Sequence, residues 1–183
     1  MSAAKNSLLW WGITDVLAGM PMPFVHPERR MNCGGQLNAY DDELPVLYAA
    51  GIRAVVSLLN IPSDAPVYES AGFTFLCLPV PDGCPPTAEQ AERFARFVDE
   101  QRAAQRATAV HCEGGIGRTG TMLAVYLIWH GQYAQEAVAR ICEVEKSAIE
   151  TSRQIMFLQE FAPCRARGFA PDSPDTKCQG EIP

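Results

Sequence analysis

Apolar residues along this chain follow two patterns. Short continuous runs rich in β-branched and aromatic side chains predict strands, and longer segments with apolar residues three or four positions apart predict helices. The first pattern predicts strands at 8–20 (an edge strand with its approach), 52–59, 73–80 and 107–111. The second pattern predicts helices at 41–50, 87–105, 119–130, 134–145 and 151–161. Strands that alternate with helices predict an α/β fold with a mostly parallel central sheet flanked by helices on both faces.

Polar residues and glycines mark the ends of two of these helices. Asp41 and Asp42 are suited to cap the first helix, and Gly51 is suited to end it. Thr87 is followed three residues later by Gln90. This spacing predicts a capping box, in which each side chain bonds the backbone N–H of the other residue.

Changes in composition divide the chain into three parts. The composition predicts a loose leader at residues 1–7 and a single domain at residues 8–162. It predicts a flexible tail at residues 163–183, which are rich in Pro, Gly, Asp and Ser. Within the domain, the prolines and glycines of 21–35 predict a long loop. That loop either lines a substrate groove or lies on the surface.

Composition and charge narrow the classes of function. The chain has 183 residues, 48% hydrophobic and 20% charged, with a net charge of −6. This acidic balance argues against a general nucleic-acid or anionic-membrane binder, so neither is expected as a partner. Seven cysteines without paired spacing predict reduced thiols in a cytoplasmic protein. Three histidines without ligand spacing predict no metal site, and no stretch has transmembrane length.

The segment 111–120 carries the strongest chemical signal. Cys112 and Arg118 have five residues between them, three of which are glycines, and the segment joins a predicted strand to a predicted helix. Such a loop can turn successive N–H groups inward to bind an anion, and the helix adds its positive N-terminal end. Arg118 matches two oxygens of a phosphate, and these positive surroundings favour the nucleophilic thiolate form of cysteine. The phosphate-binding loop comprises Cys112, Glu113, Gly114, Gly115, Ile116, Gly117 and Arg118.

A phosphate cradle with a cysteine at its base predicts phosphoryl transfer through a cysteinyl-phosphate. A nucleotide-binding loop does not fit, because no Lys precedes a Ser or Thr at the required spacing. The glycines are also misplaced for a dinucleotide fingerprint. A buried structural cysteine stays open as an alternative, since free cysteines are commonly buried and inert.

Phosphoryl transfer to cysteine needs a general acid for the leaving oxygen. Asp82 follows the strand predicted to end near Val80, so it can lie at the same sheet edge as Cys112. Pro and Gly on either side of it are suited to a shaped loop. The other reading is an ordinary turn aspartate, because Asp is common in such turns.

The run from His111 to Thr119 resembles the signature of the protein tyrosine phosphatase superfamily, His-Cys-five residues-Arg-Ser/Thr. The resemblance covers roughly residues 8–161. In the order and spacing of its segments, the chain resembles the atypical dual-specificity group of that superfamily. It implies the cysteine-phosphatase type of α/β fold, no cofactor and a phosphorylated protein as partner. It also implies that Asp82 is the general acid.

The same resemblance assigns supporting roles. It implies that Thr119 assists the sulfur as leaving group and that His111 orients the loop and supports the thiolate. Residues 147–154 resemble a late motif of the group, whose glutamine places the attacking water, and this role is carried over to Gln154. From the residues alone, Thr119 is a helix-start residue, His111 a strand-end histidine and Gln154 a polar helix residue.

Two departures from the superfamily pattern bear on the substrate. Glu113 follows the nucleophile directly, and no Lys lies in the loop, whereas lipid phosphatases of the superfamily carry basic residues there. This difference argues against phosphoinositide activity. The chain also lacks the separate tyrosine-recognition loop of the large tyrosine-specific enzymes, which predicts a shallower pocket.

The sequence favours a metal-independent phosphatase acting on phosphotyrosine, and it leaves open whether phosphoserine and phosphothreonine are substrates as well. A non-catalytic phosphate-binding module and a phosphatase of a small metabolite or an RNA 5′-phosphate stay open as alternatives; the oligomeric state is not predicted. A thiolate at Cys112 also predicts reversible inactivation by peroxide. Cys84, two residues after Asp82, either captures the oxidised sulfur as a disulfide or is an incidental thiol.

Overall fold

A computed structural model describes residues 8–23, 39–61 and 64–166, with the side chains of 39–42 and 162–166 excepted. The predicted leader, most of the predicted loop at 21–35 and the tail beyond residue 166 lie outside the described residues. Within them, no helix combines the length and the apolar character needed to cross a bilayer.

Five strands form one sheet, which confirms the prediction of a mostly parallel α/β fold. They are β1 (Trp10–Ile13), β2 (Leu17–Met20), β3 (Ile52–Ser57), β4 (Thr74–Cys77) and β5 (Ala107–His111). Their spatial order is β1-β2-β5-β3-β4. The β1–β2 pair is antiparallel, and the other three pairings are parallel. The strand β5 therefore lies at the centre, with its carboxyl end between those of β2 and β3.

Helices cover both faces of the sheet. They are α1 (Ala39–Ala49), α2 (Ala65–Ser70), α3 (Ala88–Ala103), α4 (Gly117–Trp129), α5 (Ala134–Val144) and α6 (Ser152–Ala166). The larger core cluster joins one sheet face to α3, α4, α5 and α6, and the smaller cluster joins the other face to α1 and α2. Fully buried side chains such as Phe94 on α3 each contribute about 1.5–3 kcal/mol of hydrophobic stabilisation.

The prediction of a single edge strand at 8–20 is wrong, because the chain turns back on itself there. Strands β1 and β2 form a hairpin, and only β1 lies at the edge of the sheet. The turn places Asp15 in the left-handed region at φ 59°, a conformation that Asp tolerates better than most residues. The apolar run on both sides of this residue conceals the turn in the sequence.

Several helix boundaries differ from the predictions. Helix α1 begins at Ala39, so Asp41 and Asp42 lie inside its first turn instead of capping it. Helix α2 was not predicted because its six residues are too few to show a helical period. The capping box at α3 is confirmed, since the Thr87 hydroxyl accepts from the Gln90 N–H at 3.1 Å and the Gln90 side chain accepts from the Thr87 N–H at 2.9 Å.

Candidate active site

Cys112 lies directly after β5 and is 3% exposed. The hydroxyl of Thr119 donates to its sulfur at 3.3 Å and accepts from its backbone N–H at 3.0 Å. Helix α4 begins at Gly117, two residues before the predicted start at 119, so Thr119 lies in the first helical turn. The positive end of the helix therefore faces the reacting sulfur, where it stabilises negative charge.

The phosphate loop, residues 112–118, fits closely against its surroundings at two glycines. Gly115 has φ 72°, and a Cβ there would collide with the backbone of Met20 and Pro21. A Cβ at Gly117 would collide with the carboxylate of Glu150. Gly115 therefore requires glycine for both conformation and space, whereas a side chain at Gly117 would displace only the flexible end of Glu150.

Arg118 connects the phosphate loop to the loop that carries the predicted acid. Its side chain is only 7% exposed. One guanidinium nitrogen lies 3.0 Å from the Asp82 carboxylate, and the other donates to the Val80 carbonyl at 3.1 Å. The structure therefore brings Cys112, Arg118, Thr119 and Asp82 together at one sheet edge, although the sequence separates Asp82 from the others.

The acid loop, residues 80–84, leaves the sheet edge after β4 and presents Asp82 to solvent. The Asp82 side chain is 88% exposed, so screening by water keeps its ion pair with Arg118 weak. The Thr151 hydroxyl donates to the Gly83 carbonyl at 3.0 Å. Thr151 therefore anchors the loop at the residue next to Asp82.

Gln154 is fully buried at the start of α6. Its side-chain oxygen accepts from the N–H groups of Glu150 and Thr151 at 2.9 and 3.1 Å, and its amide nitrogen lies 3.5 Å from the Cys84 carbonyl. Both lone pairs of the oxygen are used, and one N–H of the amide is left for other partners. Its predicted role in placing water stays a prediction.

His111 is fully buried at the end of β5. Burial lowers its pKa to about 4, although a hydrogen bond to the Cys112 carbonyl acts in the opposite direction, so the imidazole is neutral at pH 7. Nδ1 lies 3.3 Å from that carbonyl and Nε2 3.5 Å from the Tyr68 hydroxyl oxygen. Because the carbonyl can only accept, Nδ1 carries the proton and Nε2 accepts from Tyr68. A neutral ring carries no charge with which to support a thiolate, and the predicted role of His111 in orienting the phosphate loop stays a prediction.

Sequence reasoning missed two neighbours of the site, Thr151 and Glu150. Both lie inside the segment 147–154, in which only Gln154 was singled out, so the motif already marked their location.

The thiol of Cys84 is free and partly buried, as are those of Cys77 and Cys142. The capture of an oxidised Cys112 by Cys84 stays a prediction. Among the described residues, no group of three or more His, Cys, Asp or Glu side chains is arranged to hold a metal ion.

Comparison with protein families gives a match over the central part of the chain. The profile of the family "Tc-R-P: Polymorphic toxin system, DSP-PTPase phosphatase" matches residues 30–132. This range contains the acid loop, the phosphate loop and four of the six helices described above.

Individual relatives agree with this match. The zebrafish (Danio rerio) dual specificity protein phosphatase CDC14AB is 32% identical over 75% of this chain and 22% of its own length. Human (Homo sapiens) protein tyrosine phosphatase type IVA 3 is 29% identical over 70% of this chain and 75% of its own length. The chain thus spans about a fifth to a third of the length of the CDC14 relatives that it matches.

A solved structure extends the agreement to three dimensions. The crystal structure of Tk-PTP in its active form superposes with a TM-score of 0.71 at 25% identity and covers 86% of this chain and 98% of that chain. The fold described above is therefore that of a cysteine phosphatase.

Proposed function

This chain belongs to the DSP-PTPase phosphatase family of polymorphic toxin systems, and on this premise we propose that it is a cysteine-dependent protein phosphatase acting on phosphotyrosine and on phosphoserine or phosphothreonine. The family match and the relatives confirm the expected membership of the protein tyrosine phosphatase superfamily and its dual-specificity group. One observation carries the proposed activity: two contacts meet at the phosphate loop. The Thr119 hydroxyl donates to the Cys112 sulfur, and the Arg118 guanidinium pairs with the Asp82 carboxylate.

The first step of the proposed reaction uses the phosphate loop and the acid loop together. The loop amides and Arg118 bind the phosphoryl oxygens, and this dianion replaces Asp82 as the partner of the guanidinium. The thiolate sulfur of Cys112 attacks phosphorus, an S–P bond forms, and the P–O bond to the substrate breaks. Asp82, released from Arg118 and in its protonated form, donates its proton to the departing oxygen, which leaves as a neutral hydroxyl.

The second step regenerates the enzyme. Water attacks phosphorus, gives a proton to Asp82, and the S–P bond breaks to release inorganic phosphate. The sulfur leaves as a thiolate, and the Thr119 hydroxyl that already donates to it at 3.3 Å stabilises that charge. The family resemblance supports Gln154 as the residue that places the water, by means of the amide N–H that its buried contacts leave unused.

The proposal includes a setting and a domain division. We expect a cytoplasmic protein with residues 8–162 as the phosphatase domain, because the reaction requires a reduced Cys112 and the four cysteines whose side chains are described are free thiols. Helix α6 continues to Ala166, which places its end four residues into the segment that composition assigns to the tail.

One panel of substrates tests the proposal. Phosphotyrosine, phosphoserine and phosphothreonine peptides, phosphoinositides and RNA 5′-phosphates would be assayed in the presence of a chelator. We expect hydrolysis of the phosphopeptides by the unaltered protein and none by Cys112→Ser. Turnover confined to phosphoinositides or RNA ends would contradict the substrate class, and binding of phosphate without turnover of any substrate would leave a phosphate-binding module.

A further inference from the structure

The amino-terminal hairpin contacts the phosphate loop through a tryptophan. The indole N–H of Trp10 donates to the carbonyl oxygen of Gly115 at 3.1 Å, across 105 positions of sequence. Trp10 belongs to β1, the antiparallel edge strand, and has no assigned part in the reaction. Its side chain therefore reaches across β2 to a loop that follows the central strand.

A glycine on β2 makes this reach possible. In the hairpin register Trp10 lies opposite Gly19, and its ring lies across the face of that residue. A Cβ at Gly19 would collide with the six-membered ring and would lie 2.8 Å from the indole nitrogen. The absence of a side chain at Gly19 therefore leaves the space in which the indole is directed at Gly115.

The same hairpin segment holds the loop at two further points. The Met22 N–H donates to the Glu113 carbonyl at 3.0 Å, and Gly115 packs against the backbone of Met20 and Pro21. The carbonyls of Glu113 and Gly115 are thus both bound by groups outside the loop. In a trans peptide the next N–H points opposite to the carbonyl, and no described peptide bond is cis. The amides of Gly114 and Ile116 consequently point away from the hairpin.

We propose that Trp10 is a positioning residue of the phosphate loop, which holds the Gly115 carbonyl outward and so directs the Ile116 N–H toward the bound phosphoryl group. Without the indole, that peptide can rotate and turn a carbonyl oxygen toward an anion, which costs binding energy. The inference rests on the proposed function in one respect, that the anion is the phosphoryl group of the substrate.

The experiment removes the indole N–H and keeps an aromatic side chain at position 10. Trp10→Phe, and a protein with 3-benzothienyl-alanine at position 10, which replaces the N–H by sulfur at nearly constant shape, would be compared with the unaltered protein. Trp11→Phe is the matched control, because Trp11 is also half-buried on β1 but packs against the opposite core cluster. The measurements are the dissociation constant of inorganic phosphate by equilibrium titration, KM and kcat for an aryl phosphate, and the free energy of unfolding.

We expect both changes at position 10 to weaken phosphate binding about 3- to 10-fold, the range of one hydrogen bond, and to raise KM more than they lower kcat. Trp11→Phe should leave phosphate binding unchanged. If the position-10 proteins lose stability but bind phosphate within twofold of the unaltered protein, the contact is merely structural and the inference is overturned. Phosphate titration needs no turnover. If the unaltered protein hydrolysed no substrate, the proposed function would be disproved, but the titration would still test the role of Trp10.

Discussion

The two loops that meet at Arg118 differ in how closely the fold encloses them. Each contains a glycine in the left-handed region, Gly115 at φ 72° and Gly83 at φ 66°. Backbone atoms surround the position that a Cβ would take at Gly115, whereas at Gly83 the nearest atom is a methyl carbon of Thr151 at 3.8 Å. In the same way, Arg118 of the phosphate loop is 7% exposed and Asp82 of the acid loop is 88% exposed.

This difference matches the work that each loop would do. Binding a phosphoryl group requires donors fixed before the substrate arrives, because reorganisation during the reaction would consume binding energy. A general acid gives its proton to the leaving oxygen and takes one back from the attacking water, so its side chain must be able to reach both. The comparison predicts that changes to the backbone or packing of the phosphate loop weaken phosphate binding, and that changes in the acid loop leave phosphate binding unchanged.

The largest effect is expected for the nucleophile. Cys112→Ser should abolish turnover and leave the fold and phosphate binding largely intact, because serine is nearly isosteric but is a far weaker nucleophile in this setting. Steady-state assays with a phosphotyrosine peptide and a phosphate titration measure both properties. Cys84→Ser, the same change in the acid loop, is the control and should stay active. Activity near that of the unaltered protein in Cys112→Ser would disprove the mechanism.

The next largest effect is expected for the general acid. Asp82→Ala should lower kcat for phenyl phosphate by roughly 10²–10⁴-fold, and far less for an aryl phosphate whose leaving group needs no proton. Because the side chain is exposed, the free energy of unfolding should change by less than about 0.5 kcal/mol. Glu113→Gln, at the other carboxylate beside the nucleophile, should show no such dependence on leaving group. Equal losses for both substrates in Asp82→Ala would exclude Asp82 as the acid.

A pair of glycine substitutions tests the comparison directly. Gly115→Ala combines a strained backbone, worth about 1–3 kcal/mol, with overpacking, worth about 1–3 kcal/mol, and should also weaken phosphate binding. Gly83→Ala meets only the backbone strain and should leave phosphate binding unchanged. Chemical denaturation and phosphate titration of both variants provide the measurements. Equal effects of the two substitutions would contradict the difference between the loops.

Acid should lower the free energy of unfolding of the protein through the protonation of His111. Its pKa is about 4 in the folded protein and about 6.5 in an unfolded chain, so the unfolded state binds the extra proton first. The stabilisation is complete above pH 6.5 and is lost as the pH falls toward 4, by about 3 kcal/mol in total. Unfolding free energies measured over this range should therefore fall more steeply for the unaltered protein than for His111→Asn, which cannot titrate. Parallel profiles would show that another group is responsible.

The smallest effect is expected at the anchor of the acid loop. Thr151→Val removes the hydroxyl that donates to Gly83 and should lower kcat for phenyl phosphate about 2- to 10-fold, the range of one hydrogen bond. Thr151→Ser keeps the hydroxyl and should behave like the unaltered protein. Phosphate affinity should not change in either variant. A weakened phosphate affinity in Thr151→Val would show that the two loops are not held independently.

The sequence by itself determined the parallel sheet, most of the helices and the phosphate loop, because these depend on neighbouring residues. Apolar runs of strand length, the Thr87–Gln90 capping box and the glycines between Cys112 and Arg118 act within a few positions of one another. The location of Asp82 at the same sheet edge as the phosphate loop could be predicted as well, because parallel strands bring their carboxyl ends to one edge of the sheet.

Only the tertiary structure decided how these parts are held. The turn at Asp15 lies within a continuous apolar run, and α2 is too short to show a period. The contact from Trp10 to Gly115 spans 105 positions, and that from Gln154 to Cys84 spans 70. The neutral state of His111 follows from its complete burial next to Tyr68. Burial and long-range hydrogen bonds arise when distant segments pack together, so no local pattern of residues encodes them.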